Sequence, residues 1–367
     1  MSLTAFPRPA RRLHVAVDAA DPRERGRLRG AGLADGLHAA LDVYDRLFAL
    51  AEIPEGTVRD DARRALDAID AFRPALREQI EGIADGAGVA LWRVAALNAR
   101  TEILARSRAV PPGECSTVVR RVPAPGGGTT HLGVQTWDWH VELGSSWHTV
   151  DAAGGAHRYV GLTEHGILAK IGVNSAGLAL HFNILGHRDD RAGGLPVHVL
   201  AALVLEEAGD VGHAVELIRS APLSSSGSFL LFDERRAVLL DLSPEGVFEV
   251  PPVADATHLR TNHFLSPEPA RSEKSWLYQP DSGERYAFLR DRLAREPGAT
   301  HDELLRLLVT GPGEPPVSCV PDPEAPLGRR WASLATVLLD PAARTARILD
   351  GTPAEHADRP WYELRAA

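Results

Sequence analysis

Apolar residues recur at helical spacing early in the chain. Leu37, Leu41, Val43, Tyr44, Leu47 and Phe48 fall on one face of a helix, and Val58 to Ile83 repeats the pattern with charged positions between. From Ala34 to about Leu104 the chain therefore reads as all-helical. Pro111, Pro112 and Gly113 then break any helix and mark a loop or linker. Beyond Cys115 the period shortens to that of strands. Ser116 to Val122 and His131 to Asp138 flank a Pro-Ala-Pro-Gly-Gly-Gly turn at Pro123 to Gly128. Arg158 to Thr163, Ile167 to Val173 and Leu178 to Phe182 follow, separated by Glu164-His165-Gly166 and Asn174-Ser175-Ala176-Gly177, as in an antiparallel meander.

Helical periodicity returns at Pro196 to Ala208 and Gly212 to Ser220. Strands are expected again at Phe229 to Phe232, Ala237 to Leu242, Val247 to Val250 and Thr257 to Arg260. Two further helices, Glu284 to Glu296 and Thr300 to Leu308, precede a strand pair at Ala332 to Leu339 and Ala346 to Leu349; Thr300 and Glu303 form a capping-box pattern. Runs of strands and runs of helices, without strict alternation, indicate an α+β layered protein with antiparallel sheets. There is no internal repeat. Gly126-Gly127-Gly128 lacks the Gly-Lys and the strand-to-helix context of a phosphate loop, so it reads as a hairpin turn.

Composition narrows the function. With 367 residues, 44% hydrophobic and 24% charged, the chain can bury a sizeable core as one domain or two. Its 40 basic and 49 acidic residues give a net charge of -9, which argues against a nucleic-acid partner. Lys170 and Lys274 are the only lysines, a bias that reads as coding preference and carries no chemistry by itself. The longest apolar stretches, such as Val197 to Leu205, are about half of the roughly 20 residues that span a bilayer. No membrane span is expected, and with no secretory pattern at the start a cytoplasmic location is the default. Two cysteines, Cys115 and Cys319, exclude a disulfide framework.

The usual catalytic spacings are absent: there is no H-E-x-x-H, C-x-x-C, G-x-S-x-G or S-x-x-K set. Seven histidines between His131 and His187 match no common metal spacing, so no metal is expected. Cys115 stands out by its place, past a Pro-Pro-Gly loop at the opening of the first strand. A lone cysteine is more often a buried small hydrophobe. If the bond before Cys115 were broken, however, one residue would carry both a thiol and an α-amine with an ordinary pKa of roughly 7.7 to 8.0, that is, nucleophile and base together. The same thiol could attack the carbonyl of Glu114 and make the cut.

Six segments carry a resemblance. They are Leu97-Asn98-Ala99-Arg100-Thr101-Glu102, Glu114-Cys115-Ser116-Thr117, Gln135-Thr136-Trp137-Asp138-Trp139, Gly172-Val173-Asn174-Ser175-Ala176-Gly177-Leu178, Thr261-Asn262-His263-Phe264, and the strand Ser333 to Asp340. In that order they resemble the acyl-coenzyme A:6-aminopenicillanate acyltransferase family of N-terminal-nucleophile hydrolases over nearly the whole chain. The resemblance implies a four-layer αββα sandwich of two antiparallel sheets with an N-terminal helical segment. It also implies cleavage into an α chain, residues 1 to 114, and a β chain, residues 115 to 367, that stay associated in one compact fold.

By the same resemblance, Cys115 corresponds to the nucleophile and Asn262 to the amide that stabilises the oxyanion. Asp138 and Arg330 look like a supporting charged pair, Ser226 matches a serine near the acyl site, and Glu114 and Cys115 flank the cleavage point. Asn98, Arg100 and Glu102 read as structural, and Cys319 matches nothing catalytic. The pattern departs at Glu114, where the family's best-known member has Gly. The expected activity is an amide hydrolase or acyltransferase working through a Cys115 thioester on a small N-acyl amide, with no cofactor and acyl-coenzyme A as a conceivable co-substrate. A homo-oligomer is left open, as are an uncleaved cysteine hydrolase and a non-catalytic binding protein on the same scaffold.

Overall fold

A computed structural model describes residues 9, 11–107, 115–124, 126–278, 280–296 and 298–367. The first part opens with a strand that the apolar pattern does not reveal, β1 (His14–Asp18), and five helices follow: α1 (Pro22–Leu50), α2 (Glu55–Phe72), α3 (Pro74–Ala87), α4 (Leu91–Asn98) and α5 (Arg100–Leu104). Asp21 caps α1 by accepting from the Glu24 amide at 2.7 Å, and Pro22 supplies the preset φ of a first helical residue, so this helix starts twelve residues before the apolar pattern does (34 − 22 = 12). The run from Val58 to Ile83 is two helices, because Pro74 forces Arg73 into an extended conformation at φ -149.

The rest supplies two sheets. Their strands are β2 (Cys115–Pro123), β3 (Thr129–His140), β4 (Trp147–Ala153), β5 (Tyr159–Glu164), β6 (Ile171–Asn174), β7 (Ala179–Ile184), β8 (Gly227–Phe232), β9 (Ala237–Ser243), β10 (Gly246–Val250), β11 (Thr257–Arg260), β12 (Trp331–Asp340), β13 (Thr345–Leu349) and β14 (Trp361–Arg365). Helices α6 (Val197–Glu207), α7 (Val211–Ser220), α8 (Pro267–Ala270), α9 (Ser275–Tyr278), α10 (Asp281–Arg295) and α11 (His301–Leu307) lie between them in sequence. One sheet has eight strands in the order β1-β4-β5-β6-β7-β8-β9-β10, and the other six in the order β11-β2-β3-β12-β13-β14. All pairings are antiparallel except β1 with β4, which is parallel and places the N-terminal segment at the edge of the larger sheet.

The two sheets face each other through β2 on β7, β13 on β5 and β12 on β6. Helices α6 and α7 cover the outer face of the large sheet, and α10 and α11 cover the small one, giving the αββα order of layers. The outer side of the small sheet has its own apolar core, with Val118, Leu132 and Val134 against Leu289 and Leu304. Burial of β8 on both faces explains the unbroken apolar run of residues 229–232. The capping box at Thr300 forms as the sequence predicts. The strand expected from Ile167 starts at Ile171, because the carbonyls of Ile167 and Leu168 turn to the buried Arg29 guanidinium (3.1 and 2.7 Å) and the Leu168 amide donates to Asn98. No described helix is long and apolar enough to cross a membrane.

Helices α1 and α3 touch backbone to backbone along a glycine seam. A Cβ on Gly30 would sit 2.2 Å from the Ile83 carbonyl oxygen, and one on Gly82 would sit 2.0 Å from that of Arg23. Gly30→Ala should therefore destabilise the protein by about 1 to 3 kcal/mol through overpacking. A denaturant midpoint equal to wild type would show that the seam can open without cost.

Candidate active site

Cys115 is the first residue of β2 and is 4% exposed. Across the ladder it faces Trp137 of β3, and directly opposed residues of an antiparallel pair share one face. Two residues along that face, the Thr117 hydroxyl donates to Asn183 Oδ1 of β7 at 2.7 Å, so the face looks into the space between the sheets. Strand β11 pairs with β2 through Arg260 opposite Thr117. Continued by two residues, that antiparallel register brings Asn262 opposite Cys115, and the contact follows: the Cys115 N–H donates to Asn262 Oδ1 at 2.8 Å.

The other end of the residue is held as well. The Cys115 carbonyl accepts from Asn183 Nδ2 at 3.0 Å and from Arg285 Nη1 at 3.1 Å. Arg285 also donates to Ser116 Oγ at 3.0 Å and to Asn262 Oδ1 at 3.2 Å, and its Nε donates to Asp281 at 2.7 Å. Asn262 is itself fixed: its N–H donates to Ser282 Oγ at 2.8 Å, and one amide proton goes to the Ile184 carbonyl at 2.9 Å. An Asn side chain has two such protons, so a second remains for a reacting oxygen.

Burial pushes the Cys115 thiol up to about 12, with the Asp138 charge adding to the rise. A hydrogen bond from the Asp138 backbone and the Lys170 and Arg285 cations pull the other way. At neutral pH the resting residue is a thiol.

Against the Trp137 ring lies a buried ionic cluster. Glu164, at the end of β5, accepts from Arg100 at 2.5 Å, from Lys170 Nζ at 2.7 Å and from the Tyr44 hydroxyl, which in turn accepts from the Trp139 indole N–H at 3.0 Å. Burial opposes the charge on Glu164, yet Arg100 and Lys170 outweigh it and hold the carboxyl down at about 2. Burial lowers Lys170 to about 8 against the pull of Glu164, and Arg100 adds to the lowering.

The other sequence-derived positions fall as follows. Asp138 lies on β3, one residue past Trp137, and accepts from the Ser333 hydroxyl of β12 at 2.6 Å. Ser333 Oγ also accepts from the Cys319 amide at 3.0 Å, so Cys319 is packed against the support of Asp138. Arg330, just before β12, donates through Nε to Glu142 at 2.7 Å. Ser226 precedes β8 and donates to Asp190 Oδ1 at 2.6 Å. Glu114 lies outside the described residues. Asn98 donates to the carbonyls of Val94 and Gly166, Glu102 accepts from the first amide of α6, that of Val197, at 2.9 Å, and Arg100 belongs to the Glu164 cluster.

Asn183, Arg285, Glu164 and Lys170 escaped the sequence reading. Three of them carried no local signal; Lys170 had one, as a lysine in a chain that otherwise uses arginine.

A cleft beside this site is lined by Leu104, Trp139, Ile184, Leu185, Asp190 and Lys274, so it is largely apolar with an ionic pair in its wall. Among the described residues, His187, Asp189 and Glu245 each bring a ligand atom within 4.8 Å of the others. The Asp189 amide donates to His187 Nδ1 at 3.1 Å, and Nε2 lies 3.3 Å from Glu245 without a hydrogen bond.

Two stacked sheets with helices outside, and a buried cysteine heading an inner strand with both of its backbone groups gripped, define an α+β protein of αββα layering. The chain belongs to the acyl-coenzyme A:6-aminopenicillanic acid acyl-transferase family, whose model matches residues 125–355, downstream of Cys115. It is 26% identical over 349 residues to the acyl-coenzyme A:6-aminopenicillanic-acid-acyltransferase 40 kDa form of Emericella nidulans, covering 93% of each chain. Among solved structures it is similar to a Caenorhabditis elegans N-acylethanolamine-hydrolyzing acid amidase ortholog (TM-score 0.42, 14% identity, 62% of this chain and 93% of that one). It is also similar to penicillin V acylase from Agrobacterium tumefaciens (TM-score 0.41, 12% identity, 68% and 86%).

The ionic cluster sets a measurable pH response. Glu164 is lower in the fold, at about 2, than its ordinary 4.5, so its charge contributes stability that is fully present above about 4.5 and is lost as pH falls toward 2. Glu164→Gln should remove that part of the acid dependence. It should also cost about 3 to 5 kcal/mol at neutral pH, because two buried cations lose their carboxylate. Unfolding curves across this range that match wild type would refute it.

Proposed function

We propose that this chain is a cysteine amidohydrolase or acyltransferase of the N-terminal-nucleophile type, which cuts itself between Glu114 and Cys115 and acts in the cytoplasm on a small N-acyl amide. The observation that carries this reading is the grip on Cys115. Three buried side chains, Asn262, Asn183 and Arg285, hold its nitrogen and its carbonyl oxygen. Any buried backbone group needs a partner; here side chains from three separate parts of the fold supply them, and Asn262 keeps one amide proton for a reacting oxygen.

In the mature form the α-amine of Cys115 takes the thiol proton, and the sulfur attacks the substrate amide carbon. Asn262 Oδ1, which receives the backbone N–H in the intact chain, would orient that amine; the second Nδ2 proton of Asn262 would donate to the oxyanion. Collapse expels the amine product and leaves a thioester on Cys115. Water, or an acceptor amine, then takes the acyl group, with acyl-coenzyme A as an alternative acyl donor. Asp138, Arg330 and Ser226 are assigned supporting roles, Asp138 by its charge beside the thiol and Ser226 through Asp190 in the cleft wall.

Intact-mass measurement of the purified protein tests the cut. Two species matching residues 1 to 114 and 115 to 367 are expected, replaced by one full-length mass in Cys115→Ala. A single full-length mass for active wild type would sink the N-terminal mechanism and favour an uncleaved cysteine hydrolase. A purified native protein whose Cys115 does not react with a thiol reagent would favour a non-catalytic scaffold. Asn262→Ala should fold and lose turnover by on the order of a hundredfold or more; near-normal rates would remove the oxyanion role.

A further inference from the structure

The self-cleavage step poses a problem that the mature enzyme does not have. Before the cut, the nitrogen of Cys115 is an amide and cannot act as a base, while the thiol is buried and protonated. Some other group must take the proton. From the position of its ammonium over the ring that shares a face with Cys115, we propose that Lys170 is the proton acceptor for the Cys115 thiol during processing, a role that rests on the self-cleavage reading above.

The geometry is specific. Lys170 immediately precedes β6, is 2% exposed, and holds Nζ 4.6 Å from the centre of the Trp137 ring, the direct cross-strand partner of Cys115. Glu164 fixes it there at 2.7 Å, and Arg100, stacked 4.0 Å over Trp139, shares the same carboxylate. One carboxylate thus serves two buried cations, so one of the cations can lose its proton without leaving an unpaired anion. Arginine stays charged at any working pH, so the lysine is the one that can.

The groups facing Lys170 agree. Arg100 of α5 lowers it and Glu164 of β5 raises it; Cys115 of β2 raises it less; Asp138 acts on the same thiol. His198 of α6 and His140 of β3 are kept neutral by burial, and Tyr44 of α1 is kept protonated. None of the last three competes for the proton near pH 8. With burial bringing it to about 8, Lys170 is partly neutral where the thiol is not ionised. Among 40 basic residues only two are lysine, and one of them stands here.

The step balances. The Sγ–H proton passes to neutral Nζ as sulfur bonds to the carbonyl carbon of residue 114. The tetrahedral centre then breaks its bond to the Cys115 nitrogen, which takes the proton back from the Nζ ammonium. Water hydrolyses the resulting thioester, leaving a carboxyl group on residue 114 and a free thiol and amine on residue 115.

Time-resolved intact mass of the full chain made by cell-free synthesis, from about pH 6 to about pH 9, tests the role. Wild-type processing should speed up as pH rises through about 8. Lys170→Met and Lys170→Arg should fold, by circular dichroism, and process about a hundredfold more slowly. Either folded variant processing at the wild-type rate with the wild-type profile overturns the proposal. If both variants misfold, the wild-type profile decides, since a rate flat across this range also overturns it.

Should the wild type never be cleaved, the self-cleavage reading fails separately, and iodoacetamide alkylation of Cys115 in the intact chain takes over as the measurement. A rise centred near pH 8 that moves to strongly alkaline pH in Lys170→Met supports the Lys170 link, and a profile unchanged in Lys170→Met overturns it.

Discussion

The buried carboxylate of Glu164 is the constraint on which the rest of the structure turns. Taking a carboxylate, a guanidinium and an ammonium out of water costs several kcal/mol each, and the cost is recovered only while the three stay in contact. Arg100 comes from α5 in the N-terminal part, Tyr44 from α1, and Glu164 and Lys170 from the large sheet. Satisfying one carboxylate thus fixes the helical segment against the sheets. It also fixes the rings of Trp137 and Trp139, over which the two cations lie, and so the strand opposite Cys115.

Much of the layering was legible in the residues, because strands and helices announce themselves through period and turn chemistry. The turns at Glu164-His165-Gly166 and Asn174-Ser175-Ala176-Gly177 mark real strand ends, and Thr300 with Glu303 marks a real helix start. Strand β1 was not legible. It spans five residues with an exposed polar face, and its parallel partner β4, itself unread in the sequence, lies more than 130 residues away. No local pattern encodes such a pairing. The same holds for the start of α1, where the first turns are set by the Asp21 cap and a glycine seam instead of an apolar stripe.

The site divides along the same line. Cys115 and Asn262 were legible because a helix-breaking loop and a short motif sit beside them in sequence. Arg285 looks like any other arginine of a charged helix, yet its contacts with Cys115 span 170 residues. Asn183 lies inside β7, one residue past the apolar pattern that ends at Phe182, and that pattern says nothing of it. Side chains of this kind acquire meaning only when the β11-β2-β3 register and the sheet-on-sheet packing bring them to one point. Lys170 differs, since its rarity was visible and only its surroundings were not.

The two parts of the chain also explain how a cut before Cys115 could be mechanically silent. Residues on the N-terminal side contribute an edge strand to the large sheet and a buried Arg12 whose guanidinium pairs with Asp350 at 2.7 Å and lies 3.8 Å over Trp147. Arg29 donates to two carbonyls ahead of β6, and Arg100 closes the Glu164 cluster. Separating the parts would strip each of these cations from its partner and open both a sheet and a core, so breaking the one peptide bond before Cys115 would change none of the large stabilising terms. What such a cut alters is local: one amide nitrogen, already held by Asn262, becomes an amine. A fold whose cohesion does not pass through the bond before Cys115 would be free to use that bond for chemistry alone.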